Sequence, residues 1–158
     1  QFRVTLTPPS GIAIGLDVRR TSFLVTAAQM PASALTEIPV PFRGRNIYIT
    51  GDRPAPEPWS VTVYNDTDFM IRNAMERWNN GINDFANNTG VTSPADYQTD
   101  LFVEQLDRDS AVLKSYIFKS AYPRDISAID LNAETVNAIE TFECTWRYQH
   151  FEASGVNF

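Results

Sequence analysis

The alternation of residue types near the end of the chain is the feature that most constrains the fold. Between residues 141 and 149, apolar or aromatic residues alternate with polar ones. Because successive side chains of a strand point to opposite faces, this pattern predicts a strand with one buried and one wet face. The expected buried set is Phe142, Cys144, Trp146 and Tyr148, and the polar set is Thr141, Glu143, Thr145, Arg147 and Gln149.

Similar patterns elsewhere predict a chain made mainly of strands. The run Trp59 to Tyr64 has the period of a half-buried strand, and Arg45 to Thr50 is a short β-rich run that ends at a Gly-Asp pair. Further strands are expected at residues 23–29, 99–106 and 112–120, with a turn at 107–110 between the last two.

One helix is expected among the strands. Residues 65–68, with the sequence Asn-Asp-Thr-Asp, supply side chains that cap helices and acids that suit the positive end of the helix dipole. Apolar residues then recur at spacings of three and four, which predicts a buried stripe. The stripe consists of Ile71, Ala74, Met75, Trp78, Ile82 and Phe85, and the helix is expected to end near residues 87–90.

The segment from Pro39 to Pro58 holds five of the ten prolines together with three arginines. Proline restricts the backbone and donates no hydrogen bond to a sheet, so the segment is expected to be stiff without being regular. One interpretation is an extended surface loop. The other is an arm that docks on a second subunit, since rigidity lowers the ordering cost of binding. The candidate interface residues are Pro41, Arg43, Arg45, Asp52, Arg53, Pro56 and Glu57.

The net charge of this 158-residue chain is -6, and it is unevenly distributed. Residues 1–60 carry six arginines and four acids, whereas residues 61–158 carry seven basic and fifteen acidic residues. An acidic chain is poorly suited to binding phosphates, but the opposite net charges of its two parts favour head-to-tail association of copies.

The first residues lack the basic start and apolar run typical of a secretion signal. No stretch approaches the roughly 20 apolar residues that span a bilayer.

The sequence offers no recognisable catalytic or metal-binding constellation. Cys144 and His150 are the only residues of their kinds, and six residues along one strand separate them by roughly 20 Å. No zinc-ligand cluster and no phosphate-binding glycine loop is present. We therefore expect no catalytic residue, no metal and no cofactor. Two alternatives remain open: a β-barrel that holds a small ligand, and a glycosidase that uses a pair of acids.

Six segments of the chain carry a family resemblance: 59–79 (WSVTVYNDTDFMIRNAMERWN), 41–45 (PFRGR), 51–54 (GDRP), 113–127 (LKSYIFKSAYPRDIS), 129–131 (IDL) and 140–152 (ETFECTWRYQHFE). Together they resemble the tail tube family of T-even-like contractile-tailed bacteriophages. The strand-to-helix run 59–79 carries most of the resemblance, which extends over residues 36–152. Residues 1–35 match less clearly.

The resemblance implies a single domain over residues 1–158, with the Pro/Arg-rich arm projecting at about 39–58. The fold would be mainly β, a β-sandwich or barrel with one flanking α-helix, whose sheets join between subunits into a ring. Rings of six would stack head to tail into a tube that delivers the genome during infection. An alternative is the inner tube of a phage-like contractile injection or secretion machine.

The resemblance also implies partners and a location. A tail sheath protein would surround the tube, a tape measure protein would lie inside it, and a baseplate and a tail terminator would close its ends. Viral DNA would pass through without specific binding. The protein would be part of the virion tail and would assemble in the host cytoplasm.

A channel that passes DNA is expected to be lined by a polar sheet face, because the opposite face of each strand is core. The last strand offers Thr141, Glu143 and Thr145 as lumen-facing candidates. The competing hypothesis places Glu143 and Arg147 on the outside of the subunit, paired across strands.

Overall fold

The computed structural model describes residues 1–134 and 137–158. Among those residues it shows a β-sandwich of seven strands, a separate hairpin of two strands and three helices. The elements are β1 Phe2–Leu6, α1 Val18–Leu24, β2 Val25–Ala28, β3 Glu37–Phe42, β4 Arg45–Thr50, β5 Trp59–Tyr64, α2 Met70–Ile82, α3 Pro94–Tyr97, β6 Thr99–Leu106, β7 Val112–Ile126, β8 Thr141–Arg147 and β9 His150–Ala153. The expected mainly β class is confirmed, and so are the predicted bounds of β4, β5 and β6.

The long strand β7 connects the two layers of the sandwich. Its first part pairs with β6 on one side and β9 on the other, and β1 extends this first sheet beyond β6. Its last part pairs with β8, which is followed by β5 and β2 in the second sheet. The change of sheet falls near Ser120, whose positive φ of 53° marks a break in the extended backbone.

The core lies between the two sheets. The ring of Trp59 on β5 stacks on Phe118 of β7, with centroids 4.3 Å apart, so the sheets meet face to face. The alternation predicted for the last strand is confirmed, because the apolar set on β8 is buried. The largest fully buried side chains include Trp78, Trp146, Phe118, Leu6, Ile14, Met75 and Leu101.

Helix α2 covers the core face of the second sheet with its predicted stripe. Ile71, Ala74, Met75 and Trp78 are buried, as expected. The Nε1 of Trp78 donates a hydrogen bond to the carbonyl oxygen of Tyr97 at 2.8 Å, so the indole is satisfied although it is fully buried.

Both expected ends of α2 were wrong. The residue before the helix is Phe69, in a left-handed conformation, and no side chain caps the first turn. The helix ends at Ile82, because the Asp84 side chain accepts bonds from the Ala86 amide and the Asn87 amide group and stabilises a turn instead. Phe85, which was expected in the buried stripe, is therefore fully exposed.

The N-terminal third also differs from expectation. A strand was predicted over residues 23–29, but Phe23 and Leu24 complete helix α1, and β2 begins only at Val25. The side chain of Asp17 caps this helix by accepting from the amides of Arg19 and Arg20. The composition of residues 23–29 is typical of a strand and did not indicate that a helix capped by Asp17 extends to Leu24.

The position of His150 was also wrong. The sequence interpretation placed Cys144 and His150 along one strand, but β8 ends at Arg147, before His150. His150 instead begins β9 and pairs with Lys119 on β7.

Among residues 1–134 and 137–158, no helix has the length and apolar character required to cross a bilayer.

Candidate subunit interface

The Pro/Arg-rich segment forms a hairpin that is a separate two-stranded sheet. β3 and β4 pair with each other and, within the described residues, with no other strand. Arg43 and Gly44 form the two-residue turn, with φ of 47° and 81°, and positive φ at both positions is typical of a type I′ hairpin turn. At the base, the Gly51 amide donates to the Thr36 carbonyl at 2.7 Å. The first half of the arm is thus more regular than the prolines suggested.

The hairpin has one apolar face that its own chain leaves uncovered. Cross-strand partners share a face, so the pairs Ile38 with Ile49 and Val40 with Ile47 lie together, beside Phe42. These five side chains are 40% to 52% exposed. An isolated hairpin is at best marginally stable in water, and a contiguous exposed apolar patch is typical of an interaction site.

The sequence interpretation missed this apolar face. It took the prolines and arginines as the interface, although Ile38, Val40 and Phe42 alternate with Pro39 and Pro41 along the printed sequence. That two-residue period in the sequence could have predicted a strand with one apolar face.

The structure separates the predicted interface residues into three groups. Pro41, Arg43 and Arg45 lie at the tip of the hairpin. Asp52 and Arg53 lie at its base, where the Asp52 carbonyl accepts from the Thr36 amide and Arg53 donates to Ser33. The third group is Pro56 and Glu57, which lie next to the sandwich. The Pro56 carbonyl there accepts from Nη1 of Arg147 at 3.1 Å.

The three arginines of the arm remain available for a partner. Within the described part of the chain, none of Arg43, Arg45 and Arg53 forms an ion pair. The guanidinium of Arg43 lies 5.2 Å from the centre of the Phe42 ring. The tip therefore presents a cationic and aromatic surface beside the apolar face.

The residues expected to face a lumen share the outer face of the second sheet. Thr141, Glu143 and Thr145 lie on β8 opposite the core set, and their cross-strand partners on β5 are Tyr64, Thr62 and Ser60. The hydroxyls of Ser60 and Thr145 are 3.3 Å apart. This face is rich in short hydroxyl side chains.

The chemistry around Cys144 does not suit catalysis. The side chain is fully buried, and burial raises the pKa of its thiol to about 12. A nucleophilic cysteine needs the opposite shift, toward the thiolate at neutral pH. Among the described residues, no group of three or more potential ligands could hold a metal ion.

The acids that the structure brings together are also poorly suited to glycoside hydrolysis. Arg20 binds both Asp66 and Asp68 through its guanidinium. The Thr67 amide and then Arg20 hold the pKa of Asp66 below its ordinary value, whereas a general acid needs a raised pKa. A surface depression of about 640 Å³ on the outer side of α2 is open to solvent and does not resemble an enclosed ligand pocket.

Comparison with known proteins agrees with this description. A family model described as "Phage tail tube protein" matches residues 1–154. The chain is 30% identical to the "Tail tube protein" of Serratia phage KSP90 over 94% of its own length and 83% of that protein. It is 31% identical to the "Tail tube protein gp19" of Enterobacteria phage T4, over 83% of this chain and 80% of that one.

Solved structures of contractile injection machines share the fold. The tube-terminating cap of the anti-feeding prophage superposes with a TM-score of 0.66 at 18% identity, covering 97% of this chain and 87% of that one. The sheath/tube terminator of an extracellular contractile injection system gives 0.57 at 15% identity, covering 98% and 94%. The family model and the sequence relatives together define a structural subunit of a tube. The chain belongs to the phage tail tube protein family.

Proposed function

We propose that this chain assembles into hexameric rings that stack head to tail and form the channel for genome delivery in a virion tail. The observation that carries the proposal is the uncovered apolar face of the hairpin β3–β4, beside three arginines that form no ion pair with any described residue. A subunit that works alone gains nothing from such a surface, whereas a ring neighbour covers it. The sequence relatives favour a phage tail tube over the tube of an injection machine.

In the proposed tube, the arm at about 39–58 projects from a single domain formed by residues 1–158 and docks on the next ring or on a neighbouring subunit. Its apolar face supplies contact area, and its arginines orient the encounter with the acidic part of the partner. The docking residues are Pro41, Arg43, Arg45, Asp52, Arg53, Pro56 and Glu57, to which we add Ile38, Val40, Phe42, Ile47 and Ile49.

The lumen is proposed to be the outer face of the second sheet, with Thr141, Glu143 and Thr145 directed at the channel. Short hydroxyl side chains give a smooth wall, and six copies at -6 each give a ring of about -36. Such a field repels phosphate, so DNA passes without being held. Because α2 packs on the opposite face of this sheet, the helix lies at the outer radius of the tube.

The proposed partners are those that the family resemblance implies. A tail sheath protein surrounds the tube, a tape measure protein fills it during assembly, and a baseplate and a tail terminator bind its ends. Assembly takes place in the host cytoplasm. The protein acts as a structural component and not as an enzyme.

Electron microscopy of the purified protein tests the proposal. The wild-type chain should form six-fold rings and tubes as its concentration rises. A variant in which residues 37–50 are replaced by a short Gly-Ser linker should remain folded by circular dichroism but form no tubes. Wild-type protein that stays monomeric at high concentration would contradict the proposed assembly, and tubes from the variant would contradict the role of the hairpin.

A further inference from the structure

The two long edges of the hairpin differ in the number of backbone N–H groups that they can donate to another strand. In an antiparallel pair, opposed residues alternate between those that exchange both backbone bonds and those that exchange none. A proline cannot take part in a pair that exchanges both bonds, because it has no N–H. The pairs Pro39 with Tyr48 and Pro41 with Asn46 must therefore be the pairs without bonds between the strands.

The turn and the base of the hairpin support this assignment. Phe42 and Arg45 flank the two-residue turn, and flanking residues of such a turn form a bonded pair. Counting outward in steps of two residues makes Val40 with Ile47, and then Ile38 with Ile49, bonded pairs. The bond from the Gly51 amide to the Thr36 carbonyl continues the same series.

Residues in the unbonded pairs direct their backbone groups away from the hairpin. On the β3 edge these are Glu37, Pro39 and Pro41, which together provide a single N–H. On the β4 edge these are Asn46, Tyr48 and Thr50, which provide an N–H at every position. Prolines on an edge prevent strand addition there. The β4 edge carries no such block, and within the described residues it pairs with no strand except β3.

We propose that β4 is a one-sided docking edge, along which an edge strand of a second copy adds through the backbone of Asn46, Tyr48 and Thr50. The inference rests on the proposed tube function and adds the edge by which copies join. A second copy is the occupant because the chain belongs to a tube family and its own sandwich ends in edge strands. β1 and β2 each have one neighbouring strand within the described residues.

The asymmetry gives the association a direction. Two equivalent edges would allow hairpins of different copies to pair in more than one way, and open edges lead to uncontrolled aggregation. With β3 blocked by proline, each hairpin accepts one strand on one side. The apolar face then extends across the added strand, so that backbone pairing and side-chain burial occur at the same site.

Residue-resolved amide hydrogen exchange of assembled tubes and free subunits tests the inference. The amides of Asn46, Tyr48 and Thr50 should exchange at least about tenfold more slowly in tubes than in subunits, as expected of newly formed ladder bonds. The Glu37 amide on the opposite edge should exchange at similar rates in both. Equal exchange of the three β4 amides in tubes and subunits would overturn the proposal.

Proline substitutions provide a second test with matched controls. Tyr48→Pro removes one outward N–H from the β4 edge without removing a bond of the hairpin and should abolish tube formation. Glu37→Pro removes the outward N–H of the β3 edge and should leave tubes intact, and Tyr48→Val controls for the lost ring. Normal tubes from Tyr48→Pro would refute the docking edge but not the tube function. A wild-type chain that forms no tubes would contradict both.

Discussion

The indole rings of Trp78 and Trp146 meet edge to face, with centroids 5.2 Å apart and planes inclined by 69°. Trp78 lies on α2 and Trp146 on β8, and both are fully buried. This contact fixes the helix on the second sheet, on the strand whose opposite face carries the proposed lumen residues. Stability of the domain should therefore depend strongly on it.

Truncation of Trp78, the residue that the helix contributes to this contact, should strongly destabilise the domain. Trp78→Ala is expected to lower the free energy of unfolding by about 3–5 kcal/mol, because it leaves a large cavity and an unpaired Tyr97 carbonyl. Phe85→Ala, which shortens a fully exposed aromatic residue near the end of the same helix, should change it by less than about 0.5 kcal/mol. Urea unfolding followed by circular dichroism measures both. Similar effects of the two substitutions would contradict the packing described.

The stability should also fall in acid through Asp66. The Thr67 amide, at 2.7 Å, and Arg20 hold the pKa of this carboxyl below its ordinary value of 3.8. A lowered folded-state pKa stabilises the protein above the unfolded pKa, and this contribution is lost as the pH falls through the folded value. Asp66→Asn should therefore be less stable than wild type at pH 7, and the difference should shrink below pH 3.8. Thermal unfolding across pH measures it, and a difference that grows in acid would refute this role.

The apolar face of the hairpin should matter for assembly and not for the subunit. Replacing the cross-strand pair Ile38 and Ile49 by threonine keeps β-branched side chains but removes apolar contact area worth roughly 1 kcal/mol or more per side chain. We expect tubes to be lost while the melting temperature of the subunit stays unchanged. Sedimentation and electron microscopy report assembly. A lowered melting temperature would instead place these residues in the fold of the subunit.

The arginines of the arm should be needed for stacking. Replacing Arg43, Arg45 and Arg53 together by alanine should block tube growth, because the charges that orient the encounter are removed. Arg108→Ala, at an exposed turn between β6 and β7, serves as the control and should assemble normally. Tube lengths measured at low and high salt check this. Tubes of normal length from the triple variant would show that the charges are dispensable.

The lumen assignment predicts a size-dependent pattern of chemical labelling. Thr141→Cys should react with a small maleimide in tubes, but with a maleimide carrying a long polyethylene glycol chain only in free subunits. Asn80→Cys, on the outer side of α2, should react with both reagents in both states. The native Cys144 does not interfere, because it is buried and its pKa is raised to about 12. Full labelling of Thr141→Cys by the large reagent in tubes would exclude a lumen position.

The local patterns of the sequence were sufficient for much of the fold. The two-residue period predicted the bounds of β5, and strand-like runs predicted those of β4 and β6. The helical spacing predicted the buried stripe of α2 from Ile71 to Trp78. These signals are reliable because a strand or helix buries one face, and the period of the apolar residues records which face that is. The resemblance of segments 36–152 provided the family, which composition alone could not provide.

Tertiary structure decided what lies against each of those faces. Ile38, Val40 and Phe42 alternate as a core strand does, yet they are about half exposed and do not belong to the buried core. Asp66 and Asp68 look like helix caps in the sequence, but Arg20, far away in the chain, binds both. The single strand β7 enters two sheets because its backbone breaks at Ser120. A sequence period determines which side chains share a face, but the contacts that cover that face come from distant residues, and their positions are fixed only when the whole chain packs.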